Sequence, residues 1–173
     1  GIKVIDLPTL INLKLASAMT EPGRLRDLGD VQELIRAQGL GEEYAEKLDP
    51  SVREKFISVM PVTLYYPLFS SDPKTERIEE RATRKINESG VLTRFSVRVT
   101  ENMLRSPASV QIRINGVNRE LSVVVGLLET GEFVDTTNSQ SVGPDDEVVC
   151  AVSYTGPGTL RIDRIDAVLI PPS

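Results

Sequence analysis

Two stretches hold most of the side chains able to do chemistry. In "LKLASAMTEPGRLRDLGDVQELI", residues 13–35, Lys14, Arg24, Arg26, Asp27 and Asp30 fall within one helix–turn–helix segment. In "EFVDTTNSQSVGPDDE", residues 132–147, Asp135, Asn138, Asp145 and Asp146 gather oxygen donors beside Glu147. Such an oxygen-rich loop suits Ca²⁺, a hard cation that takes many oxygen ligands. Each stretch also has a structural reading, and that is the one expected here. Arg24, Asp27 and Asp30 at i, i+3 and i+6 read as helix-surface ion pairs, with Lys14 bridging two helices. The acidic loop matches no standard Ca²⁺ spacing, and Asp, Asn, Gly and Pro are what turns use. Ca²⁺ is the one cofactor weighed, and the expectation is none.

The chain has no histidine and one cysteine. Ser-His-Asp and Cys-His catalysis are therefore excluded, and so are an internal disulfide and a zinc–thiolate cluster. Chemistry would have to come from carboxylates, lysine, tyrosine or a partner. Cys150, in "EVVCAVSY", shares a strand face with Val148 and Val152 and reads as a buried structural thiol. No catalytic residue is assigned.

The elements that must position these residues follow from composition and pattern. Net charge is −5 over 173 residues, with 8 basic and 10 acidic residues through Met60 and 12 and 15 after it. Neither half offers the positive field a nucleic-acid backbone requires. No apolar run approaches the length of a membrane span. Neither a nucleic-acid nor a membrane partner is expected, and no compartment is assigned.

Residues 1–59 have helical grammar. "GIKVIDLPTL" reads as a strand running into a helix capped by Asp6, with Pro8 in its first turn. Leu7, Leu10, Ile11, Leu15 and Ala18 form its apolar face, widened by Leu13. Thr20 is expected to cap a second helix with Pro22 in its first turn, Leu25, Leu28, Val31, Leu34 and Ile35 on one face, and Gly39 as its stop. "LGEEYAEKL" gives a short helix, and Asp49 with Pro50 starts another that buries Val52, Phe56 and Met60.

Residues 60–173 read as β. "PVTLYYPLF" is an edge strand. Residues 70–90 read as a loop and a strand ending near Asn87, with a helix through Ile78, Ala82 and Ile86 as the alternative. Phe95, Val97 and Val99 then alternate with Arg94, Ser96 and Arg98. Val110, Ile112 and Ile114 lead through an Asn115-Gly116 turn to Leu121, Val123, Val125 and Leu127. Further strands are expected at Gly131–Val134, Glu147–Tyr154 and Leu160–Leu169, with turns at "GPDD" and "TGPG". The fold class is α+β, an N-terminal helical segment followed by an antiparallel β-sandwich of jelly-roll type.

The stretch "LPTLINLKLASAMTEPGRLRDLGDVQELIRAQGLGEEYAEKLDPSVREKF" resembles the C-terminal portion of small bacterial nucleotidyltransferase-like proteins. That resemblance implies a nucleotide-side role for Lys14, Arg24, Asp27 and Asp30. The family's Gly-Ser turn and paired metal-binding aspartates have no counterpart in this chain, so the resemblance implies a frame without its catalytic acids. The second half, through "GVLTRFSVRVTENML", "VQIRINGVNRELSVVV" and "GPDDEVVCAVSYTGPGTLRI", resembles bacterial and phage-associated jelly rolls of the tumour-necrosis-factor-like or C1q-like kind. Such domains often trimerise and bind proteins or glycans.

The resulting expectation is a non-enzymatic interaction or structural module, a homo-oligomer, trimeric in its strongest form, with a protein or glycan partner. Tyr65, Tyr66 and Phe69 are the candidate oligomer contact, with core packing as their default role. Arg94, Arg98, Arg113 and Arg119 offer a basic stripe for an acidic partner, or a solvated face paired with Glu101 and Glu120. The alternatives are a nucleotide-binding remnant of a nucleotidyltransferase and a carbohydrate-binding module.

Overall fold

The computed structural model describes residues 5–21, 23–71 and 73–172. The chain divides into two compact units, Gly1–Pro61 with Thr155–Pro157, and Val62–Tyr154 with Gly158–Ser173.

The helical unit contains α1 (Leu7–Thr20), α2 (Leu25–Gln38), a 3₁₀ helix (Glu42–Lys47) and α3 (Pro50–Val59). Asp6 starts α1 as its residue type predicts. Its Oδ1 accepts the Thr9 N–H at 2.9 Å, satisfying one of the donors that a helix start leaves orphaned. Gly39 ends α2 at φ 60°, a left-handed stop in which the Leu40 N–H returns to the Ile35 carbonyl at 3.0 Å. Thr20 does not cap α2. It is the last residue of α1, and its hydroxyl donates back to the Ala16 and Ser17 carbonyls, each at 3.1 Å. Arg24 stands at the cap position of α2 instead. Asp49 precedes Pro50 as expected, but its side chain makes no capping bond; its N–H is held by Asn12 Oδ1. The strand read at residues 1–4, and Pro22, lie outside the described residues.

Ile11 and Leu15 of α1, Val31 and Ile35 of α2, and Val52 and Phe56 of α3 form one buried cluster. Leu13 and Leu25, placed on apolar faces by spacing, are largely exposed. Each helix buries one stripe against its neighbours, and these two lie outside that stripe.

The second unit has eight strands among the described residues. They are β1 (Pro61–Tyr66), β2 (Arg84–Lys85), β3 (Gly90–Asn102), β4 (Ala108–Ile114), β5 (Val117–Val125), β6 (Gly131–Val142), β7 (Glu147–Thr155) and β8 (Leu160–Ile170). One sheet runs β1-β7-β4-β5, with β2 also on β7, and the other runs β6-β3-β8. The pairs nest: β4 with β5, β3 with β6, β1 with β7. That is the pattern of a hairpin rolled into a sandwich, a jelly roll, with β8 added beside β3. The innermost hairpin turns at Asn115 and Gly116, both at positive φ (51° and 75°), as a two-residue turn requires. Leu92, Phe95, Val97, Val110, Ile112, Leu121, Val148 and Cys150 fill the space between the sheets.

Three departures from the strand pattern matter for the site. β6 is twelve residues long and runs through "DTTNS", which reads as a connection in the sequence. Leu127 lies beyond β5 and is exposed. Residues 67–71 and 73–87 form a strap in which the strand expected to end near Asn87 is reduced to the two-residue β2. Ser70 exchanges two backbone hydrogen bonds with Ile165 of β8, both 3.0 Å, and Glu76 exchanges two with Tyr65 of β1 at 2.7 and 2.8 Å. A single helical turn, α4 (Glu79–Ala82), follows before β2. Arg113 of β4 reaches back to Glu79 at 2.7 Å, placing this turn over the outer face of the larger sheet. Val149 and Ala151 on β7 point to that face and are buried.

Candidate functional site

Lys14 and Asp30 meet at 2.5 Å, and Asp27 lies 3.4 Å from the same ammonium. The lysine thus joins α1 to α2, as the structural reading has it. The Asp30 hydrogen bond raises the Lys14 pKa above its ordinary value, and the same bond lowers that of Asp30. Arg24 is also engaged. Its Nη1 donates to Ser17 Oγ at 2.6 Å, its Nε pairs with Glu21 at 2.9 Å, and Asp27 is 3.8 Å away. The four residues do converge, and each charge already has an opposite charge beside it.

Asp135 is the most deeply placed carboxylate of the acidic stretch, 7% exposed on β6. Its Oδ1 accepts the Thr137 and Asn138 N–H groups at 2.9 and 3.1 Å, and its Oδ2 accepts Asn138 Nδ2 at 2.9 Å. The fourth donor is the Ser122 N–H of β5, at 3.1 Å. β5 and β6 are the edges of different sheets, so this bond crosses the open seam of the sandwich. Burial alone would raise the Asp135 pKa. The four donors outweigh it and bring the group down to about 2. A shallow groove of about 440 Å³ runs along this seam, lined by Ser122, Val124, Phe133, Asp135, Thr137 and Asn138.

Asp145 and Asp146 serve a different place, the turn between β6 and β7. Asp145 adopts φ 69°. Asp146 accepts the Gly143 N–H at 2.8 Å and Asn115 Nδ2 at 2.7 Å, and Asn115 Oδ1 in turn takes the Glu147 N–H at 2.9 Å. The Gly143 bond leads the causes that lower the Asp146 pKa. The donors read as one oxygen-rich loop are therefore split between mid-strand and turn. Among the described residues no three acidic or thiol side chains converge on a point where a cation could sit.

The candidate oligomer contact separates likewise. Tyr66 is 1% exposed and belongs to the core, so it presents no surface to a partner. Tyr65 is half-buried and pinned to Glu76, while Phe69 is 45% exposed at φ 59°. β1 points alternate side chains to opposite faces, so consecutive tyrosines do not line one surface. Cys150 is fully buried between the sheets, and burial pushes its thiol pKa far up. The four arginines form no single stripe: Arg94 and Arg98 are on β3, Arg113 and Arg119 on β4 and β5 of the other sheet. Their acidic partners are Asp163 for Arg98 and Glu79 for Arg113 rather than Glu101 and Glu120.

One concavity has no counterpart among the sequence-derived candidates. The strap encloses a hollow of about 280 Å³ lined by Pro67, Ser70, Lys74, Glu76, Arg81 and Arg84. Its signal in the sequence is the run of basic residues at 74, 77, 81, 84 and 85, which is interleaved with acids and shows no helical or strand period. In comparisons with known proteins, no family model matches the chain, and no curated protein is significantly similar to it.

Proposed function

We propose that the chain is a non-enzymatic interaction or structural module, in which the jelly-roll domain self-associates and the helical unit is an appendage. One observation carries this reading: Lys14, Asp135 and Cys150, three of the side chains singled out for their chemistry, are each committed to holding the fold. Lys14 joins two helices, Asp135 closes the seam between two sheets, and Cys150 is sealed in the core. The sheet edges carry blocking devices, so self-association in this reading uses a sheet face. Sedimentation velocity over a wide concentration range tests it. A discrete oligomer, a trimer in the strongest form, is the expected result; a monomer at every concentration overturns it.

A second reading, nucleotide binding by the helical unit, draws on the convergence of Lys14, Arg24, Asp27 and Asp30. It requires Lys14 to exchange its carboxylate partners for phosphate oxygens. Calorimetry with ATP and Mg²⁺ would then show saturable heat that Lys14→Ala removes, and absence of heat ends this alternative.

A further inference from the structure

Lys74, Arg81 and Arg84 line one hollow of the strap, and none of them has an ion-pair partner among the described residues. Arg84 makes one bond, from Nη1 to the adjacent Thr83 carbonyl at 3.1 Å. Among the described residues Glu76 is the one acid of the lining, so there three positive charges face one negative, in a chain whose net charge is −5. The cations that do find partners, Lys14, Arg24, Arg98 and Arg113, lie elsewhere. Around this hollow the backbone is held on both sides, by the paired Ser70–Ile165 and Glu76–Tyr65 bonds. The Ser70 backbone is thereby fixed while its hydroxyl stays available to a ligand. Two arginines and a lysine around one held concavity suit a tetrahedral oxyanion, which accepts several charge-assisted hydrogen bonds at once. A water molecule occupies roughly 30 Å³ of liquid, so a hollow of about 280 Å³ has room for more than a bare ion. Pro67 supplies an apolar wall for the remainder.

We propose that this hollow binds a small phosphate monoester, with Arg81, Arg84 and Lys74 on the phosphate and Pro67 against its carbon skeleton. The site is distinct from the self-association reading, and its failure would leave the oligomeric state untouched.

The test is an amide-shift titration of the full chain at low ionic strength with glycerol 3-phosphate, and in parallel with inorganic phosphate. Saturable shifts confined to Ser70, Lys74, Arg81, Arg84 and their neighbours are expected, with the ester binding more tightly than the free ion. Arg81→Gln with Arg84→Gln should weaken binding roughly tenfold or more, the loss of two charge-assisted bonds. Glu76→Gln removes the opposing charge and leaves the backbone pairing to Tyr65 in place, so it should tighten binding severalfold. Shifts spread over all exposed arginines and persisting in the double variant would overturn the site. So would a Glu76→Gln chain that binds more weakly than the parent. Equal affinity for inorganic phosphate and the ester would overturn the assignment to an ester.

Discussion

Asp135 shows how one side chain can be claimed by the fold. β5 ends its sheet, so the Ser122 N–H has no further strand to donate to, and the Asp135 carboxylate takes that donor from across the seam. Replacing Asp135 with Ala leaves Ser122, Thr137 and Asn138 N–H groups without their acceptor, at a cost of about 1–3 kcal/mol. The pH dependence has a definite sign. The folded pKa, about 2, lies below the ordinary 3.8, so the carboxylate's contribution is complete above 3.8 and lost as pH falls toward 2. Urea midpoints measured across that interval should fall more steeply for the parent than for Asp135→Asn, and parallel curves would refute the clasp. Cys150 yields a second expectation at this scale. Its burial and raised pKa leave it unreactive toward a thiol reagent in the native chain, with reaction appearing only after unfolding in urea. Labelling under native conditions at the rate of a free thiol would contradict that placement.

At the scale of elements, turns separate two kinds of glycine. Gly116, at φ 75°, has nothing within 4 Å of an added Cβ, whereas at Gly158, φ 144°, that atom would lie 2.6 Å from the Met103 carbonyl oxygen. Gly116→Ala therefore costs only the backbone strain of a left-handed alanine, about 1 kcal/mol. Gly158→Ala adds a clash with fixed backbone and should lower the urea midpoint clearly more; equal effects would show that the clash relaxes freely. The Asn115-Gly116 hairpin is readable because both of its signals are local: a two-residue turn and strict alternation on either side. Asp6 and Gly39 are readable for the same reason, since a cap acts within one helical turn. β6 is not readable. It is an edge strand, and "TTNSQS" carries no apolar alternation because so few of those positions face the core. The Asp135 clasp is hidden for a further reason: its partner Ser122 is thirteen residues away, on a different sheet. The strap escapes pattern reading because its contacts are single bridges, each too short to impose a period.

Over the whole sandwich, each open edge is interrupted. Glu76 pairs with Tyr65 on β1, Asp135 takes the Ser122 N–H of β5 and also bonds within β6, and Ser70 pairs with Ile165 on β8. On β8 the Ala167 N–H is capped as well, by Asp166 Oδ1 at 2.9 Å. These are the means by which a sandwich with two open seams avoids pairing edge to edge with other copies. Asp166 carries the heaviest part of that task, because it interrupts "IDAVLI", residues 165–170, otherwise an uncharged apolar run without proline in which Ile165, Val168 and Ile170 are β-branched. Asp166→Val would free the Ala167 N–H and complete such a run on an exposed edge, the composition that templates cross-strand assembly. Asp166→Lys also loses the cap but keeps a charge in the run. Turbidity and thioflavin fluorescence under gentle agitation should therefore rise severalfold faster for Asp166→Val than for the parent, with Asp166→Lys close to the parent. If the lysine variant aggregates as fast as the valine variant, the capped N–H and not the charge is what protects the edge. If neither aggregates faster, the single pairing of Ser70 with Ile165 is enough to close β8.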